Sequence, residues 1–259
     1  MLFRSLYDDS YYAEGSGDRG YSEYMAQKRE YAATFQEDLR RIEGILKASA
    51  GPLRILDVGC GPGFFVETAL AAGHDAYGVD IIPSVVEHAR ALLPGRIFLG
   101  APADVETVRN RPFDAIFASH VIEHVPGPLP FTSGLVPFLK PGGILVYVTP
   151  NIRSRLARIS GRRWVSFKIP EHVAYYSPQT IGRLFSQAGL DPVVVDPAYQ
   201  YYRIPFIALR LRRLIRPFDK LIPPLEHSRA LRDRIVRITS GSLRAIASRG
   251  PVRRHAPSS

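Results

Sequence analysis

The sequence has a single cysteine, a single tryptophan and two methionines in 259 residues. The lone thiol, Cys60, excludes a disulfide within the chain and fits a reducing compartment better than an oxidising one. No run of about 18 apolar residues occurs, and the N-terminal "MLFRSLYDDSYYAEGSG" has no apolar core of signal-peptide length. Neither a spanning helix nor secretion is expected, so the chain reads as cytoplasmic. Acidic residues are scarce at one end only: residues 200–259 hold 14 Lys/Arg against 3 Asp/Glu, whereas residues 1–199 hold 20 against 21. The net charge of +10 is therefore a property of the last quarter of the chain.

From Gly51 onward, short apolar runs alternate with helix-like stretches: "LRILDVG", "FFVETALAAG", "DAYGVD", "PSVVEHARALL", "RIFLG", "FDAIFAS" and "GILVYVTP". Strands separated by helices in this way predict an α/β fold, a doubly wound, mostly parallel sheet with helices on both faces. "SPQTIGRLFSQAGL" predicts a capped helix, "PVVVDP" a further strand, and Ser242–Ser248 a last strand returning to the sheet.

"LDVGCGPGFF" places Gly59, Gly61 and Gly63 between a strand and a helix, and Asp80 ends the next strand. In a doubly wound sheet such a loop lets the backbone approach a nucleotide-like cofactor, and the later acid accepts hydrogen bonds from ribose hydroxyls. A dinucleotide fingerprint would put its third glycine at position 64, where this chain has Phe64. Cys60 is a small residue in the turn, with no basic neighbour to activate it.

"LDVGCGPGFF", Asp80, "FDAIFASHVIEHV" and "LKPGGILVYVTPN", in this order, resemble the class I S-adenosylmethionine-dependent methyltransferases over about Arg54 to Leu190. "EHVAYYSPQTIGRLFSQAGL" resembles the segment after the fifth strand in the small-molecule branch that includes ubiquinone-biosynthesis O-methyltransferases. The resemblance implies a seven-stranded Rossmann-like sheet with S-adenosylmethionine as cofactor. It implies that Asp57, Gly59, Gly61 and Gly63 surround the methionine part and that Asp80 holds the ribose. Cys60 within the loop, Ile81 beside Asp80, Ser119 at the end of the fourth strand, and the N-terminal Tyr21 and Tyr24 complete the set assigned to the cofactor. The reaction implied is in-line displacement at a sulfonium methyl, in which positioning supplies much of the acceleration.

"SHVIEHVP" follows the fourth strand, where a doubly wound sheet opens its crevice. One helical turn would put His120, Glu123 and His124 on one side. Three readings compete. The residues shape the pocket, with His124 or His120 as general base. Or they bind a divalent metal, although some ubiquinone-pathway relatives have Glu-x-x-Glu-His where this chain has His120 first. Or they form the His-x-x-Glu-His string of a zinc protease, which a preceding strand and Pro126 oppose. No metal is assigned. His172, beside Glu171 after the fifth strand, is a further candidate base. No Asn/Asp-Pro-Pro-Tyr loop is present, which argues against methylation of nucleic-acid bases.

Residues 1–50 are expected to form a helical cap or lid, 51–200 the cofactor-binding core, 201–240 a basic amphipathic helical segment, and 241–259 a last strand and tail. In "IPFIALRLRRLIRPF" an apolar face opposes Arg210, Arg212, Arg213 and Arg216, which suits an anionic membrane surface through residues 204–220 at the inner face of the membrane. A solvated helix, a dimer contact or a polyanion partner are the alternatives, nucleic acid being disfavoured. "RSRLARISGRRW" adds five arginines after the fifth strand. The reading is a methyltransferase acting on a small-molecule acceptor, a hydroxyl of a lipid-linked or saccharide metabolite. A non-catalytic cofactor-binding membrane module and an NAD-dependent oxidoreductase are the rivals.

Overall fold

A computed structural model describes residues 27–46, 51–207, 234–239 and 241–251. Tyr21 and Tyr24, most of the basic segment and the tail lie outside the described residues. In chain order the elements are α1 Lys28–Leu46, β1 Arg54–Val58, α2 Phe64–Ala71, β2 Asp75–Asp80, α3 Pro83–Leu92 and β3 Ile97–Leu99. There follow α4 Glu106–Arg109, β4 Phe113–Ser119, α5 Pro128–Leu135, β5 Leu139–Pro150, α6 Arg155–Ser160, α7 Pro178–Gln187, β6 Asp191–Pro197, β7 Gln200–Arg203, β8 Ile235–Ile238 and β9 Ser242–Ser248.

Seven strands form one sheet in the order β3-β2-β1-β4-β5-β9-β6, and β7 and β8 form a separate antiparallel pair. All neighbours are parallel except β9, which runs antiparallel between β5 and β6. This is the expected doubly wound sheet. Alternate residues of the central strands feed opposite cores, as the period-2 geometry of a sheet covered on both faces requires. Leu56, Ile116, Leu145 and Tyr147 pack on one side with Ile181 and Phe185 of α7. Ile55, Phe117, Val146 and Ile246 pack on the other with Phe65 of α2 and Ile42 of α1. Phe65 lies stacked on Phe117 at 4.0 Å between ring centroids.

α1 lies within the stretch 1–50 expected to form a helical cap or lid, and its position is set by polar contacts as well as by Leu39 and Ile42. The Thr34 hydroxyl accepts from the Tyr201 amide at 3.0 Å. Glu37 accepts from Arg237 at 2.7 Å, and the Arg203 guanidinium pairs with Glu30. Arg244 of β9, only 3% exposed, donates to buried Asp38 at 2.8 Å. Tyr31 meets Phe64, the first residue of α2, at 5.8 Å, which fixes α1 over the helix that follows the glycine loop.

Residues 201–203 and 235–238, placed by the sequence within one helical segment, are strands of this antiparallel pair: β-branched and aromatic residues there pair Gln200–Arg203 with Ile235–Ile238. Residues 204–207 are helical. Between β5 and α7 the chain makes an excursion, 152–175, closed at its base by a bridge between Asn151 and Tyr176 and a 2.9 Å bond from the Ile152 amide to the Tyr176 carbonyl.

Candidate active site

The sheet order reverses between β1 and β4, so the crevice opens at the carboxyl ends of these two strands. After β1, Gly59, Gly61 and Gly63 have φ of 73°, 52° and 82°, a region that disfavours a side chain. A Cβ on Gly59 would stand 2.5 Å from Cγ2 of Val121, so the glycine lets the turn after β4 lie against the loop. A Cβ on Gly61 would meet nothing within 4 Å among the described residues, although the residue is buried.

Asp80 closes the far side. Its carboxylate accepts from the Gly61 amide at 2.9 Å and from the Ile82 amide at 3.0 Å, one bond to each oxygen. A carboxylate has about four acceptor positions, so about two remain, the number a ribose diol needs. Burial raises the Asp80 pKa against the amides that lower it. Asp57, on β1, is 4% exposed, and burial followed by the charge of Asp80 pushes its pKa well above the ordinary value. Among the described residues no basic side chain pairs with either acid. Two adjacent buried carboxylates without a counter-ion suit a ligand that carries positive charge, and one with an unphosphorylated ribose.

The other residues assigned to the cofactor divide. Ile81 is 37% exposed beside Asp80, and Ser119 ends β4 at the crevice. Cys60 turns inward instead. It is buried, its amide donates to the Val79 carbonyl at 3.1 Å, and its Sγ would lie 2.7 Å from a Cβ on Gly78. Burial, followed by the charges of Asp57 and Asp80, raises its thiol pKa far above the usual value, so it is an inert packing group.

After β4 the expected single helical turn is split. His120 has φ 55°, and only Ile122–His124 form a 3-10 turn. Histidine is among the residues that tolerate this left-handed backbone. His120 Nδ1 lies 3.0 Å from Glu123 Oε1, and the other oxygen, Oε2, accepts from the Thr149 hydroxyl at 2.9 Å. Burial works to raise the pKa of Glu123, which is 1% exposed, but the hydrogen bond and charge of His120 and the charge of His124 outweigh it and hold it below the ordinary value. An ionised Glu123 fixes the imidazole as the Nδ1–H tautomer, leaving the Nε2 lone pair outward. The Gln200 amide of β7 stands 3.4 Å from that Nε2. Thr149 and Gln200 were not singled out in the sequence; Thr149 sits in the recognised "YVTPN", whereas nothing local marks Gln200.

His124 points the other way. Its Nδ1 lies 2.9 Å from the Glu171 carbonyl, and its ring meets His172 edge-on at 4.7 Å. Burial lowers the pKa of both, that of His172 to about 4, so both imidazoles are neutral at pH 7. Glu123, His124 and His172 each offer one ligand atom within 4.8 Å of the others. Two neutral imidazoles and a carboxylate are a donor set that a first-row divalent ion accepts. The three candidate histidines are thus brought together around Glu123, in two different orientations.

A family model described as a methyltransferase domain matches residues 21–195. The ubiquinone biosynthesis O-methyltransferase of Cereibacter sphaeroides is 32% identical over 151 residues, 54% of this chain and 61% of that protein. The protein of the same description from Dinoroseobacter shibae is 30% identical over 178 residues, 64% of this chain and 68% of that one. Among solved structures, the magnesium protoporphyrin IX methyltransferase of Synechocystis with bound S-adenosylmethionine superposes with a TM-score of 0.55 at 13% identity, covering 96% of this chain and 97% of that one.

Proposed function

The chain belongs to the class I S-adenosylmethionine-dependent methyltransferases, and from that membership we propose that it methylates a hydroxyl of a small acceptor, lipid-linked or saccharide, with His120 as general base. The observation that carries this reading is the Thr149–Glu123–His120 chain of hydrogen bonds, which orients an imidazole next in sequence to Val121, the residue that lies against Gly59.

Asp57, Gly59, Gly61, Gly63 and Asp80 would hold S-adenosylmethionine, which would supply an electrophilic methyl on a cationic sulfur. His120 Nε2 would take the proton of the acceptor hydroxyl as that oxygen is methylated. Glu123 holds the resulting imidazolium by its Nδ1–H, and Thr149 holds Glu123. A base of this kind contributes about 10² to 10⁴ in rate for an acceptor that keeps its proton at neutral pH. Hydroxyls need such help; a neutral amine or a thiolate does not.

The test is incubation with methyl-labelled S-adenosylmethionine and cell extract, with and without a chelator. The label is expected in an ether that survives alkali, in equal amount in both arms. Label in an ester or on nitrogen would refute the hydroxyl acceptor. Turnover abolished by the chelator and restored by Mn²⁺ would instead assign Glu123, His124 and His172 to a metal and displace the base. Asp80→Ala is expected to weaken S-adenosylmethionine binding by about 1–3 kcal/mol through lost charged hydrogen bonds, read by calorimetry. An unchanged affinity would remove Asp80 from the cofactor site.

A further inference from the structure

The residues of β7 alternate between two sets of partners. Tyr201 and Arg203 bind α1: the Tyr201 amide donates to the Thr34 hydroxyl at 3.0 Å, the Tyr201 hydroxyl donates to Glu37 at 3.2 Å, and Arg203 pairs with Glu30. The period of two puts Gln200 and Tyr202 together on the opposite face of the strand. There the Tyr202 hydroxyl donates to Oε1 of Gln200 at 2.5 Å, and Nε2 of Gln200 stands 3.4 Å from Nε2 of His120. The Tyr202 ring is itself held by stacking on Phe206 at 5.2 Å between centroids.

Two neighbours impose the same orientation on this amide. A carboxamide has one oxygen that accepts and one NH2 group that donates. Tyr202 places a hydroxyl proton on the oxygen, and the Nδ1–H tautomer that Glu123 imposes leaves His120 Nε2 able only to accept. The NH2 group must therefore face the imidazole. At 3.4 Å the contact is long for a bond between nitrogens, so an oxygen that bonds to both groups can replace it. The His120 side chain is 37% exposed and open to such an approach.

A hydroxyl oxygen has one proton and two lone pairs. The proton suits His120 Nε2, one lone pair attacks the methyl, and the other accepts an N–H of Gln200. A neutral amine has a single lone pair, and committing it to the methyl turns its N–H bonds toward the Gln200 donor. We infer that Gln200 is an acceptor-binding residue, whose amide N–H holds the acceptor oxygen at His120 Nε2, and that Tyr202 positions this amide. The inference rests on the methyl-transfer reading with His120 as base.

Ether labelling by the full chain tests it, with methyl-labelled S-adenosylmethionine in excess and a dilution series of cell extract as the source of acceptor. Gln200→Met nearly keeps the length of the side chain and removes the amide. It is expected to slow labelling about threefold to tenfold in dilute extract and to approach the wild-type rate in concentrated extract, since a lost bond to bound acceptor raises KM and leaves kcat. S-adenosylmethionine affinity should be unchanged, which shows that the fold persists. Tyr202→Phe keeps the ring on Phe206 and should give a smaller defect of the same kind. The double variant should be no slower than Gln200→Met, because the hydroxyl acts only through the amide. Gln200→Met as fast as the wild type at every dilution, or slower by one factor at all of them, overturns the inference; additive defects in the double variant overturn the part given to Tyr202. Ether label that falls in His120→Asn but not in Gln200→Met refutes this inference alone. No ether label from the wild type refutes methyl transfer to a hydroxyl, and the role of Gln200 with it.

Discussion

His120→Asn is expected to lower methyl transfer by about 10²- to 10⁴-fold while S-adenosylmethionine affinity stays within about twofold of wild type. Asparagine is the informative substitution because it tolerates the φ of 55° that His120 adopts. The turn that carries Val121 against Gly59 should therefore persist, and only the imidazole is lost. A defect confined to turnover, seen in a single-turnover assay, distinguishes a base from a wall residue, whose loss would raise the KM for the acceptor instead. Glu123 acts through His120, and Glu123→Gln should lower turnover less than His120→Asn does, since its amide can still accept the Nδ1–H. An Asn variant as fast as wild type would return the role to His124 or His172, the neutral pair on the other side of Glu123.

The second large effect is on stability. Arg244→Met is expected to cost about 3–5 kcal/mol at pH 8, because it leaves Asp38 buried without its partner. Asp38 is 2% exposed, and burial pushes its pKa up to about 6 even against the attraction of Arg244. The sign follows from proton uptake. Between the ordinary value of 3.8 and about 6 the folded chain holds a proton on Asp38 that the unfolded chain has released. The contribution of this group is thus most favourable below the lower value and declines as pH rises through the upper one. Removing Arg244 raises the Asp38 pKa further, so the penalty in the variant should shrink on going from pH 8 to pH 5. Urea denaturation at both pH values checks this; an equal loss at both would mean that Asp38 does not feel Arg244.

The sheet and the glycine loop were legible in the sequence because both are local. An apolar run, three glycines, a helix and a later aspartate lie within one strand–helix–strand unit, and the φ values of Gly59, Gly61 and Gly63 meet the backbone demand that their spacing suggested. His120, Glu123 and His124 were legible as a cluster but not as a geometry, since a left-handed residue at His120 turns two members toward each other and the third away. Gln200 and the Arg244–Asp38 pair were not legible at all. Their partners are 80 and 206 positions away, and no periodicity of a single element encodes such a contact. Exposure of Ile159 was hidden for the opposite reason: a short helix with arginines around it reads as half-buried until its neighbours are known.

The slot that β9 occupies also orders events during synthesis. β9 is the last described strand in the chain, yet it lies inside the sheet and, among the described residues, is the only neighbour of β6. Until residues 242–248 have emerged, β5 presents an unpaired edge of buried-type residues, Ile144, Leu145, Val146, Tyr147 and Val148, and β6 has no place to bind. A chain halted at that stage carries an apolar open edge of the kind that recruits other strands. Completion of the sheet is thus a late, long-range closure, and until it happens the open edge of β5 is the place where this topology is exposed to association with other strands.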